Sequence, residues 1–97
     1  MNIDLIKFGS TLASRQSGKE AFLAFQPNLK NIADDENIEI DFSEINTFTP
    51  AWGDEFLSPL QKKYMNKLFL IKTSNPSVKA TVDILEETNK MKFIWKD

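Results

Sequence analysis

The run Ile38-Glu39-Ile40-Asp41-Phe42-Ser43-Glu44-Ile45-Asn46-Thr47-Phe48-Thr49-Pro50-Ala51-Trp52-Gly53-Asp54-Glu55-Phe56 carries most of the architectural information in this chain. Ile38, Ile40 and Phe42 alternate strictly with Glu39, Asp41 and Ser43, which predicts a strand buried on one face only. A polar loop follows. Thr49 then stands directly before Pro50, a capping side chain ahead of a residue that loses no hydrogen bond at the first helical position. Trp52, Phe56, Leu60 and Tyr64 recur every four residues, with Leu57 beside them, as on a helix packed along one side.

Working outward, the same two periods recur. Ile3, Leu5 and Phe8 lie among Asn2, Asp4 and Lys7 and predict a first strand. Leu68 to Ile71 is apolar throughout and predicts a more central one. Met91, Phe93 and Trp95, interleaved with Lys92 and Lys96, predict a weaker terminal strand. Phe22, Phe25, Leu29 and Ile32 form a helical stripe before the quoted run. Val78, Val82 and Leu85 form another after it, opened by Asn75-Pro76 and backed by Glu86 and Glu87. Strands and helices alternate, which implies parallel crossovers. Most strands alternate apolar with polar, so helices should cover one sheet face and leave the other wet, unlike a doubly wound nucleotide-binding fold. The expected fold is α/β: about four strands in a mostly parallel sheet, with about three helices on one face, forming one domain over residues 1–97. Pro27 and Pro59 fall inside helical stripes, where a proline costs about 3 kcal/mol, so a kink or restarted helix is expected at each. Ser58 to Gln61 has capping-box form at the second of these.

Composition limits the chemistry. The 97 residues include 12 basic and 14 acidic side chains but no histidine and no cysteine. That removes Ser-His-Asp and Cys-His pairs, disulfides and cysteine-based zinc sites. No cofactor or metal site is expected, and a carboxylate-only magnesium or calcium site is the one metal option left open. A net charge of -2 has the wrong sign for a general nucleic-acid binder, and no apolar run approaches the ~18 residues of a membrane span. The expectation is a soluble cytoplasmic protein that binds neither nucleic acid nor membrane.

Individual motifs read mostly as structure. Gly18-Lys19 lacks the earlier glycine and the following hydroxyl of a phosphate-binding loop, so Ser17 is read as a helix cap with Glu20 reaching back to it. Asp34-Asp35-Glu36 reads as a solvated turn. Lys62, Lys63 and Lys67 read as a helix C-terminus, and Asp54 and Glu55 as carboxylates in the first turn of the second helix. Arg15, the only arginine, is expected to pair with a carboxylate or loop carbonyl near that helix start.

The quoted loop and helix start form the candidate functional surface, because free backbone amides there favour an anion and a phosphorylated hydroxyl would switch the local charge. The stretch resembles the STAS-like domains, named for sulphate transporters and anti-sigma-factor antagonists, and within them a small standalone bacterial branch. The resemblance rests on Ile40-Asp41-Phe42-Ser43 followed by Ile45, and on the hydroxyl-rich loop ending at Ala51, then Trp52 and Gly53-Asp54-Glu55-Phe56. It rests also on Ser14-Arg15-Gln16-Ser17-Gly18 entering the first helix and on Asn75-Pro76-Ser77-Val78 starting another; it spans roughly residues 1 to 88. It implies a non-enzymatic regulatory module that docks on a histidine-kinase-type ATPase. In the antagonist branch a Ser or Thr at this helix start is phosphorylated by that kinase. The matching position here is Ala51, so the switch does not carry over; Thr49 and Thr47 are the nearby hydroxyls that could replace it, although Thr49 also fits as a helix cap. The expected partner-binding residues are Thr47, Phe48, Thr49, Ala51, Trp52, Asp54 and Glu55, with Trp52 read either as core or as an interface anchor.

Three alternatives have distinct signatures. A small-ligand or nucleotide-sensing module needs a defined pocket beside the second helix start. A carboxylate enzyme needs Asp41, Asp54 or Glu55 to converge in a concave site with a strongly shifted pKa. A homo-oligomer would use the exposed sheet face or the terminal strand.

Overall fold

The computed structural model describes residues 1–97. It places the alternating run in β3 (Ile38–Asp41), whose Ile38 and Ile40 are fully buried while Glu39 and Asp41 are half-buried on the other face. β3 pairs in parallel with β1 (Asn2–Asp4) on one side and β5 (Leu68–Ile71) on the other, and β5 pairs in parallel with β6 (Ile94–Lys96). The sheet order is β1-β3-β5-β6. Three helices, α1 (Arg15–Leu29), α2 (Pro50–Tyr64) and α3 (Pro76–Asn89), supply the crossovers. Their buried faces join Ile3, Ile38, Ile40, Leu68 and Leu70 in one core cluster of 21 apolar residues. The opposite sheet face is left open, with Asp4, Glu39, Asp41, Phe69, Ile71, Ile94 and Lys96 half-buried or exposed along it. The expected α/β plan, with a four-stranded parallel sheet and three helices, is therefore the observed one.

Several local expectations are corrected. The first strand stops at Asp4, and Leu5–Phe8 form a 3-10 turn. Leu5 and Phe8 are three residues apart, the period of that turn, and both still pack into the core region. Gly9, at φ 118°, then reverses the chain into a region that L side chains rarely adopt. A second, two-stranded parallel ladder was not expected: β2 (Thr11–Leu12) pairs with β4 (Thr47–Phe48). Its strands are too short for alternation to reveal. The cap of α1 is Ser14, not Ser17: the Ser14 oxygen accepts the Ser17 N–H at 3.1 Å, and Glu20 instead accepts from Gln16. Ser14-x-x-Ser17 offers the same cap spacing one turn earlier.

Neither interior proline restarts its helix, since α1 runs through Pro27 and α2 through Pro59. Pro27 is exposed and in the last turn of α1, and Pro59 is half-buried within α2. Ser58 is not a cap; its buried hydroxyl accepts from Asn89 Nδ2 at 3.3 Å.

The helices meet closely at one point. A Cβ on Gly18 would lie 2.7 Å from the Trp52 carbonyl oxygen, so α1 can touch the α2 backbone only through a glycine. Trp52 stacks on Phe56 with ring centroids 4.9 Å apart, and Phe8 and Phe48 pack on the same indole.

Candidate functional site

The Thr47-to-Ala51 segment is held from both sides. On one side the β2–β4 ladder ties it to the chain entering α1. Asn46 and Thr47 both donate their N–H to the Ser10 carbonyl, at 2.8 and 3.1 Å, and Thr49 N–H donates to Leu12 O at 3.0 Å. On the other side α3 reaches in with its first turns. Ser77 Oγ accepts from Phe48 N–H at 2.9 Å and donates to Phe48 O at 3.1 Å, while the buried Thr81 hydroxyl also donates to Phe48 O, at 2.5 Å. Asn75 caps α3 by accepting from Ser77 and Val78 N–H, and its Nδ2 donates to Ile45 O at 2.7 Å. Every backbone group so engaged is one fewer able to rearrange.

Thr49 caps α2 as expected: its hydroxyl oxygen accepts from Trp52 N–H at 3.4 Å. The same hydroxyl donates to Ala13 O at 2.7 Å, joining the starts of α1 and α2. Ser14 opens α1 one residue further on, so two helix N-termini stand side by side at this surface.

Arg15 bridges them, as its expected pairing role requires. Its Nη1 lies 2.5 Å from Glu55 Oε2 and 3.3 Å from Asp54 Oδ2. Hydrogen bonds to Glu55 and then Asp54 raise the guanidinium pKa further above its already high value. Partial burial pushes the Asp54 carboxyl up, but hydrogen bonds from Asn89, Arg15 and Ser58 outweigh it and hold the group below the ordinary aspartate value. Asp54 and Glu55 lie past the first turn of α2, which holds no acidic residue. Their local partner is therefore Arg15 more than the helix dipole.

The structure divides the expected partner-binding residues in two. Thr47, Thr49, Ala51, Asp54 and Glu55 share one partly exposed surface. Phe48 and Trp52 are each only 1% exposed, so neither can be a contact residue or an interface anchor. Phe48 plugs the loop into the core, and the indole stacks on Phe56 beneath α2. Asp41 lies on the open sheet face, away from Asp54 and Glu55 on the helical side, so the three carboxylates do not converge. Asp34 and Asp35 form a turn. No three carboxylates gather in a way that would hold a metal ion. No helix is long and apolar enough to cross a membrane.

Sequence reading missed Ser10, Ser77, Thr81 and Asn89 as supports of this surface. Ser77 and Thr81, four apart beside the stripe Val78, Val82 and Leu85, were the available signal: hydroxyls at the edge of a buried stripe must bond to something. The depression nearest Asp54 and Glu55 has a volume of about 330 Å³ and is lined also by Lys19, Phe22 and Pro59. It lies along the middle of α2, past the helix start where a ligand pocket was sought. A larger cleft of about 650 Å³ opens elsewhere, between Lys72, Lys79 and Trp95.

Residues 18–79 match a family described as a STAS-like domain of unknown function. The match takes in α1 from Gly18, β3, the loop, α2, β5 and the first residues of α3, and leaves out β1, β2 and β6. No curated protein and no solved structure matches the chain.

Proposed function

The chain belongs to a family of STAS-like domains, and on that premise we propose that it is a non-enzymatic regulatory module of the bacterial cytoplasm that docks on a histidine-kinase-type ATPase. The contact surface is Thr47, Thr49, Ala51, Asp54 and Glu55, extended by Arg15. The observation that carries the reading is the double anchoring of the loop, by Ser10 and Leu12 on one flank and by Ser77 and Thr81 on the other. A surface fixed before contact loses little entropy on binding.

Control by phosphate at this loop is disfavoured on two counts. Ala51 has no hydroxyl, and the Thr49 hydroxyl is already committed to Ala13 O and Trp52 N–H. Thr47 and Thr49 are both half-buried. Docking here therefore depends on the partner's state and not on a modification of this chain.

Titration calorimetry of the full chain against a histidine-kinase-type ATPase from the same cell tests the reading. Binding should weaken at least about tenfold, roughly 1.4 kcal/mol, with Glu55→Lys or Thr47→Asp. It should not change with Lys92→Glu, which lies outside the surface. Absence of binding, or binding indifferent to both surface changes, overturns it.

A further inference from the structure

A second surface lies at the far end of α2. That helix has 15 residues, about 22 Å at roughly 1.5 Å per residue, so its C-terminal end is well removed from Thr49. There a cleft of about 550 Å³ opens between the end of α2, the end of α3 and the start of β6. Its apolar wall is Met65, Met91 and Ile94, and Lys62, Lys90 and Lys92 stand around it. Lysines at helix ends are ordinary companions of the helix dipole. The apolar wall has no such explanation: Met65 is 58% exposed and Ile94 39% exposed.

Two further features converge on this cleft. Met65 (φ 43°) and Lys90 (φ 52°) are two of the chain's three non-glycine residues with positive φ. Lys90 is the left-handed residue that commonly closes a helix, here α3, whereas Met65 at the end of α2 is outside that ordinary cap geometry. Gln61 also lines the cleft and is 7% exposed; its Nε2 donates to Lys92 O at 2.8 Å, while its Oε1 is buried with no donor. The acid nearest Lys92 is Glu86, at 3.9 Å, and Glu86 already accepts the Phe93 N–H at 2.8 Å. The rim is thus net positive on a chain whose net charge is -2.

We propose that this cleft docks a short acidic segment of a partner protein carrying one apolar anchor side chain. The anchor seats against Met65, Met91 and Ile94, where methionine side chains adapt to its shape. Carboxylates on either side of it pair with Lys62, Lys90 and Lys92. The site does not depend on the docking surface at Thr47 to Glu55.

The test is an NMR titration of the full chain, with methionine methyls and backbone amides observed. The probes are an eight-residue peptide with a central Leu flanked by Glu, the same peptide with Lys in place of Glu, and one with Ser in place of Leu. Only the first should shift the Met65 and Met91 methyls and the Gln61 and Ile94 amides, and its affinity should fall about tenfold from low to high salt. The double change Lys62→Gln with Lys92→Gln should abolish the shifts while the amide spectrum away from the cleft stays that of the folded chain. Met65→Gly removes part of the anchor site while relieving a positive φ, so binding should fall with stability unchanged or raised, which separates the site from the fold. No shift at the cleft overturns the proposal, as do equal shifts with the Lys peptide or shifts centred on Thr47 to Glu55. Tighter association with phosphatidylglycerol vesicles than with the peptide would reassign the cleft to a lipid surface.

Discussion

Thr49 serves two elements with one hydroxyl, capping α2 through Trp52 N–H and fastening α1 through Ala13 O. Its capping role was legible from Thr49-Pro50 alone, because a cap and its helix are neighbours in sequence. The bond to Ala13 was not, since it spans 36 positions. Asp54 is the residue whose chemistry is most changed by folding. Its carboxyl is held below the ordinary aspartate value, partial burial being outweighed by Asn89, Arg15 and Ser58. A depressed folded-state pKa means the unfolded chain binds more protons in that range, so stability rises with pH there. The contribution should be complete above about pH 4, near the unfolded value, and be lost as pH falls through the lower folded value. Asp54→Asn should flatten this part of the acid limb in urea melts between about pH 2 and 6. An unchanged slope would show that the Arg15 cluster does not couple to folding.

At the scale of elements, the helices are ordered by their closest approaches. Gly18 lets α1 rest on the Trp52 backbone, and Gly53 fits between Leu85 and Phe48, where a Cβ would meet side-chain atoms at 3.0 and 3.1 Å. The Gly18 contact is with backbone, which cannot swing aside. Gly18→Ala should therefore destabilise the fold by about 1–3 kcal/mol net of its better helix propensity, read as a lowered urea midpoint. Lys19→Ala, one residue away and exposed, should stay within about 0.5 kcal/mol. The stripes that predicted α1, α2 and α3 located all three helices because an amphipathic period is written locally, although Ile32, counted in the first stripe, lies beyond the end of α1 at Leu29. The β2–β4 ladder escaped notice because two-residue strands have no period. The interior prolines did not divide their helices, because the packed stripe on either side of each continues in phase.

At the scale of the whole molecule, the sheet separates two environments. Its helical face is a continuous apolar core, and its open face carries acids on β1 and β3 beside Phe69, Ile71 and Ile94 on β5 and β6. Asp4 and Asp41 are direct partners in the β1–β3 register, an unfavourable pairing of like charges. Asp4 makes no cap bond to the turn that follows it. Asp4→Lys should raise stability by about 0.2–1 kcal/mol in low salt, and added salt should shrink the gain. A gain that ignores salt would point to strand propensity as its source. Local sequence specifies the fold class, the four strands of the main sheet and its three helices, the open face, the caps at Thr49 and Asn75, and the pairing role of Arg15. All of these follow from local period, from side-chain chemistry next to the backbone it serves, or from charge. Which loop residues remain accessible depends on packing. Phe48, expected in the contact surface, is core, and of the two readings of Trp52 the core one holds, because both side chains are closed over by the packed helices. Packing also brings Met65, Met91 and Ile94 together under three lysines. Burial and long-range juxtaposition depend on how helices pack, and no single stretch of chain encodes that.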